Sequence, residues 1–153
     1  MRRRALAIAL TALAAAGAAS AATPVLSAAD KTAAFRAAGF KPSGREWVRC
    51  EDEAASAQTG FIEAADLNGD GAPEAWVRES STFCYGNTAE AFVLVTKRPA
   101  GWSVLLDEVG MALERPTKRQ GWPDIEVGGP GGGPFPVFRY DGAKYVRARS
   151  ASR

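Results

Sequence analysis

The chain has 153 residues, with 19 Lys and Arg, 17 Asp and Glu, two Cys and no His, for a formal charge of +2. Without histidine it lacks the commonest general base and the commonest nitrogen ligand for metals, and a charge so near balance leaves no electrostatic footprint for nucleic acid. The length suits a single domain with one core, small enough to gain from a covalent staple.

In MRRRALAIALTALAAAGAASA, Arg2, Arg3 and Arg4 precede an uncharged apolar run from Ala5 to Ala16, and Ala19-Ser20-Ala21 sets small residues where a signal peptidase reads. The pattern predicts a signal peptide over residues 1–21, cut after Ala21 or Ala22, and a single β-rich domain over 22–153 in the periplasm or outside the cell. The apolar run is shorter than the ~20 residues of a membrane span, so no span is expected after cleavage. Of the 19 basic residues three leave with the leader, so the mature chain carries 16 against 17 acids. The basic excess belongs to the signal.

The first mature element is a helix over 28–38. Ser27 stands three residues before Asp30 in a capping-box arrangement, alanines favour helix, and Gly39 takes the left-handed end position before Phe40 and Pro42. Ala34, Phe35 and Ala38 form a small apolar stripe that should lie against a sheet. Short β segments follow across 45–149: REWVRC (45–50), FIEAA (61–65), EAWVRES (74–80), EAFVLVTK (90–97), WSVLLDEV (102–109), DIEVGG (124–129), FPVFRYD (135–141) and KYVRAR (144–149). In WSVLLDEV, alternation sets Trp102, Val104 and Leu106 on one face. Asp141-Gly142 is a hairpin turn signal. The expectation is a mainly β antiparallel meander of about seven short strands with one N-terminal α-helix. Strand–helix alternation, the mark of a parallel sheet, does not occur.

Cys50 and Cys84 are the only cysteines, and an exported chain meets an oxidising compartment. One intramolecular pairing exists. It would close a loop that stabilises by roughly 3–4 kcal/mol in the chain-entropy description.

DLNGDGAPE (66–74) carries the most specific chemistry. With Asp66 as position 1, Asn68 is 3, Asp70 is 5, Gly71 is 6, Ala72 is 7 and Glu74 is 9. Calcium wants six to eight oxygens, several of them anionic; a tight curl can converge side chains 1, 3 and 5, with the Ala72 carbonyl as a further ligand. Val77 stands where an EF-hand places its closing Glu, and a strand follows instead of a helix, so an EF-hand is excluded. The alternative without an ion is a turn, because Asn-Gly and Asp-Gly favour positive φ and Asp66 can accept backbone N–H groups as an Asx-turn.

The pattern D-x-N-x-D-G-x-x-E followed by a strand resembles the calcium loop of FG-GAP and VCBS repeats, present here once. That resemblance implies Asp66, Asn68, Asp70, Ala72 and Glu74 as Ca2+ ligands of weak affinity. Together with TFCYGNTAEAFVLV, GWPDIEVGGPG and FPVFRYDGAKY, the loop also resembles a small exported bacterial family without a settled activity, over Trp47 to Tyr145. The family often carries a second disulfide after GGPG. Gly132, Gly133 and Pro134 stand there in this chain.

SSTFCYGNT (80–88) reads as a polar loop held by Cys84, with Tyr85 as a candidate binding residue. GGPGGGP (128–134) lacks the Gly-Lys-Ser/Thr of a phosphate loop. Of four tryptophans, Trp122, between Gly121 and Pro123, is the candidate for exposure and for binding; Trp76 and Trp102 belong to strands and core. The adjacent acids Asp107-Glu108 and Glu51-Asp52-Glu53 read as solvated surface before they read as a two-carboxylate hydrolase. No catalytic residue is expected. The chain reads as an envelope binding or structural module with an unknown envelope protein or glycan as partner. The alternatives are a small inhibitor of an envelope-directed enzyme such as a lysozyme, and a small carboxylate-dependent hydrolase. N-terminal sequencing of the exported protein should begin at Ala22 or Thr23; an intact Met1 in the exported fraction would reject the leader.

Overall fold

The computed structural model describes residues 24–51, 58–88, 90–131 and 134–148. The leader with its cleavage site lies outside them, as do Asp52, Glu53, Gly132, Gly133, Arg149 and Arg153. The first described element is helix α1, Ala28–Ala37. Ser27 Oγ accepts the Asp30 N–H at 3.1 Å. At the other end Gly39 adopts φ +84°, its N–H donates to Arg36 O, and the Phe40 N–H donates to Phe35 O. These two bonds form a Schellman closure, for which a glycine at the positive-φ position is required. Ala34, Phe35 and Ala38 are buried as the stripe expected.

A two-stranded hairpin follows, β1 (Lys41–Ser43) and β2 (Glu46–Val48), and Trp47 stacks on Phe35 with centroids 5.0 Å apart. Then come β3 (Gln58–Ala65), β4 (Glu74–Ser80), a short helix α2 (Thr82–Tyr85) with a 3-10 turn behind it, β5 (Glu90–Arg98) and β6 (Gly101–Val109). β3, β4, β5 and β6 form one four-stranded antiparallel sheet in chain order. β7 (Met111–Arg119), β8 (Trp122–Gly128), β9 (Val137–Tyr140) and β10 (Tyr145–Arg147) form a second, again in chain order.

The fold is mainly β and antiparallel, as expected, but with ten strands in three sheets and two helices among the described residues. β1 and β7 went unforeseen. β1 is a three-residue piece around Pro42. β7, MALERPTKR, carries four charges and a proline and is exposed along nearly all its length. It is an edge strand, where charge and proline are tolerated and blunt further pairing; its register with β8 breaks between Glu114 and Lys118, around Pro116. α2 replaces what reads as an open loop because Ser81 Oγ accepts the Cys84 N–H at 3.1 Å and so caps one helical turn.

The first sheet is covered on both faces. On one side Ala75, Val77, Val93 and Val95 meet α1 through Ala34, Phe35 and Ala38. On the other Trp76, Phe92, Leu94, Leu105 and Leu106 meet the second sheet through Trp122, Ile125, Val127, Phe138, Tyr140 and Tyr145. Burial on this scale supplies about 25 cal/mol per Å² of apolar surface removed from water. A register shift between Leu94 and Val95 divides β6. Trp102 and Val104 pair with Lys97 and Val95, whereas Leu106 pairs with Leu94. The extra residue at Leu105 therefore splits the Trp102–Val104–Leu106 face that strict alternation implies.

A single residue, Gly110, joins β6 to β7 and turns the chain from one sheet into the other. Its φ is +146°, and its N–H donates to Glu90 O at 2.9 Å. A Cβ there would meet Gly128 O at 2.5 Å and Val127 Cγ1 at 2.7 Å. Gly110→Ala should therefore lower unfolding free energy by about 2–4 kcal/mol, from backbone strain and overpacking together. Denaturant titration measures it. At Gly142, where a Cβ meets only Gln120 Oε1 at 3.7 Å, the same change should cost less. Equal losses at both positions would refute the corner's role.

Candidate functional site

The glycine loop between β3 and β4 folds as a ladder of Asx-turns. Asp66 accepts the Gly69 N–H on Oδ1 at 2.8 Å and the Gly71 N–H on Oδ2 at 3.1 Å. Asn68 Oδ1 accepts the Asp70 N–H at 2.8 Å, and Asp70 Oδ1 accepts the Ala72 N–H at 2.7 Å. The Asn68 amide donates to Asp70 Oδ2 at 2.8 Å. Gly69 and Gly71 take φ +77° and +81°, values that L side chains resist. Every ladder bond is local, spanning two to five residues.

Glu74 sits beneath the ladder at the start of β4, 0% exposed. Its Oε2 accepts the Leu67 N–H and its Oε1 the Thr96 hydroxyl, each at 2.9 Å. Burial raises its pKa; those two bonds oppose the rise, and the charges of Asp70 and Asp66 add to it. The donor set of Asp66, Asn68, Asp70, the Ala72 carbonyl and Glu74 suits a hard cation in kind, being all oxygen and three times anionic. Among the described residues, however, no three or more acidic or cysteine side chains gather closely enough to hold a metal. Glu74 faces Leu67 and Thr96, and the ladder oxygens face backbone N–H groups.

Beside the ladder lies an open groove of about 500 Å³, lined by Asn68, Asp70, Ala72, the β5–β6 turn and the aromatics Trp122 and Tyr140. Trp122 is only 8% exposed, which corrects the expectation that it stands free. The flanking Gly121 does make a turn, but that turn packs on the glycine loop, where a Cβ at Gly121 would lie 3.2 Å from Asn68 O. The Trp122 ring stacks on Tyr140 at 4.6 Å and meets Tyr145 edge-on at 6.3 Å. In the groove wall Lys97 pairs with Asp30 at 2.8 Å and Arg98 donates to Ala143 O at 2.9 Å.

At the opposite end of β4, Cys50 and Cys84 form the expected disulfide, with Cα atoms 6.0 Å apart. Glu79, 1% exposed, organises this end. It accepts the Arg49 N–H at 2.7 Å, the Cys50 N–H at 2.8 Å and the Tyr85 hydroxyl at 2.6 Å. Burial, and then the Glu79 carboxylate, hold the Tyr85 hydroxyl protonated well above the usual phenol range. Tyr85 is thereby engaged in structure, although it also lines a shallow pocket with Arg49, Cys50, Glu51, Cys84 and Asp107. Arg49 grips Asp107 with two bonds of 2.9 and 2.8 Å.

Asp107 pairs in register with Val93 and Glu108 with Phe92, so the two carboxyls lie on opposite faces of the sheet and do not flank a common cleft. In the Glu51-Asp52-Glu53 run only Glu51 is described, and it pairs with Lys41 on the surface. The sequence reading missed Glu79, Thr96 and the Arg49–Asp107 pair. Glu79, on the same alternation face as Ala75 and Val77 in EAWVRES, was the available signal for a buried acid; nothing local marks Thr96 or Arg49. No helix among the described residues is long and apolar enough to cross a membrane. Comparison with protein-family models, characterised proteins and solved structures yields no match.

Because the folded protein holds the Glu74 proton more tightly than the unfolded chain does, ionising Glu74 weakens the fold. That loss is absent below the ordinary carboxyl value of 4.5, sets in as pH rises past it, and is complete above the raised value. Glu74→Gln has no proton to lose there. In chelator the wild type should gain stability relative to Glu74→Gln as pH falls from neutrality towards that value. A stability difference that stays flat with pH would reject the assignment.

Proposed function

We propose that the chain is an exported binding module of the cell envelope whose glycine loop takes a weakly held calcium ion beside a groove for an envelope protein or glycan. The observation that carries this reading is the position of Asn68, Asp70 and Ala72, which belong both to the loop and to the wall of the groove over Trp122 and Tyr140. A cation drawn to the loop would change the shape and charge of that wall directly. The match of DLNGDGAPE to the FG-GAP and VCBS loop supports the choice of calcium, and the three uncompensated carboxylates give the ion its driving force. Binding would gather Asp66 and Asp70 onto Glu74, whose carboxylate their charges already disfavour. The energy of that rearrangement is one reason to expect weak affinity.

A second reading, a small inhibitor of an envelope-directed enzyme such as a lysozyme, draws on Phe83. It is 72% exposed on a helical turn pinned by Cys84 and Ser81. An aromatic held rigidly on the surface suits insertion into a partner's cleft, because little ordering entropy is lost on binding.

With a dissociation constant of about 1 mM, calcium at ten times that concentration should stabilise by about 1.4 kcal/mol. Thermal unfolding should therefore shift upward by a few degrees, and Asp66→Asn or Asp70→Asn should abolish the shift. Envelope extracts passed over the immobilised protein should leave a component that chelator elutes. No titration heat and no thermal shift would reduce the loop to a turn, and retention indifferent to chelator would detach the ion from binding.

A further inference from the structure

At the far end of the second sheet, the segment before β9 and the end of β10 enclose a groove of about 240 Å³, lined by Pro134, Phe135, Pro136, Val137, Arg139, Arg147 and Ala148. Two backbone bonds fix its walls: Val127 N–H to Pro136 O at 3.0 Å, and Ala148 N–H to Val137 O at 2.7 Å. Pro134 and Pro136 lock their own φ and offer no N–H, so this wall is stiff and apolar. The charged side chains of the lining are both guanidinium groups. Both line the groove, but the register sets them on opposite faces of β9 and β10, since Arg139 pairs with Val146 and Arg147 with Phe138, so they reach it from opposite sides.

Only part of this positive charge is neutralised. Arg139 uses Nε to pair with Asp124 Oδ2 at 3.1 Å, and its side chain stays 50% exposed. Asp124 also accepts the Thr117 hydroxyl at 2.8 Å. Arg147 makes no ion pair among the described residues. Its charge acts on Glu108, whose pKa burial and then Asp107 raise and Arg147 lowers.

We propose that this groove binds a carboxylate carried on a short apolar stem, as the last residue of a peptide with an apolar side chain presents. The planar guanidinium fork matches a carboxylate's two oxygens. Proline and phenylalanine walls suit an aliphatic side chain and give nothing to a bare, hydrated phosphate. The volume is below the roughly 300–1,000 Å³ of drug-sized pockets, which fits one residue and excludes a long acyl chain. The site lies on the second sheet, away from the glycine loop, and needs no calcium.

The test is isothermal titration of the purified protein with N-acetyl-alanyl-leucine as free acid and as amide, with octanoate and inorganic phosphate alongside. The free acid should bind at least tenfold more tightly than the amide, equally well in chelator. Arg147→Gln should weaken the acid at least tenfold, and Arg147→Lys less, with melting temperature unchanged in both because Arg147 is exposed. Acid and amide binding alike, or no acid binding at all, would overturn the proposal. Phosphate equalling the acid would overturn the apolar stem, and octanoate binding without the peptide acid would overturn the peptide end.

Discussion

Strand β4 is covered on both faces, so every charged side chain that points inward from it must find its partners inside the protein. Two do. Glu74, at its start, faces the second sheet, and Glu79, near its end, faces the side of α1, because an odd number of residues separates their directions. A buried carboxylate left unpaired costs several kcal/mol. Each therefore collects donors from the chain around it: Glu74 from Leu67 in the glycine loop and Thr96 on β5, Glu79 from Arg49, Cys50 and Tyr85. The glycine loop is tied to one end of the strand and the disulfide segment to the other by the same physical requirement.

The two ends differ in how completely the charge is met. Glu79 takes three donors, and the Arg49 guanidinium lies close by on Asp107. Glu74 takes two neutral donors and has Asp66 and Asp70 as neighbours. One end is a finished structural joint. The other keeps an excess of negative charge next to a groove, and that asymmetry makes the glycine loop the place where a ligand has something to gain.

Sequence periodicity made α1 legible to within a residue, with both caps, because its signals are local: a Ser at one end, a Gly at the other and alanines between. The central strands were legible because β5 holds the apolar run Ala91–Val95 and β4 the strand-favouring Trp76 and Val77 after a glycine-rich turn. β7 was not, because an edge strand is selected against further pairing and its Glu114, Arg115, Pro116, Lys118 and Arg119 give no strand pattern. The bulge at Leu105 was equally hidden, since two adjacent leucines give no sign of which will face which layer. At the candidate site the ladder of Asp66, Asn68 and Asp70 could be read from spacing. The burial of Trp122 could not, because it depends on Tyr140 and Tyr145 arriving from a hairpin some twenty residues later.

The same dependence explains why the two grooves fall where they do. A sheet entered through a one-residue corner cannot slide along its neighbour, because Gly110 fixes the relative position of β6 and β7 and Gly128 blocks any larger residue. With that corner closed, the second sheet brings Trp122 and Tyr140 over the glycine loop at one end. At the other it leaves the Pro134–Pro136 segment beside the last strand. Neither groove is made by a single element. Each is a gap between a turn rich in glycine or proline and a sheet edge whose position was set elsewhere, and such gaps are where charged side chains such as Asp70 and Arg147 can stay exposed without disturbing a core.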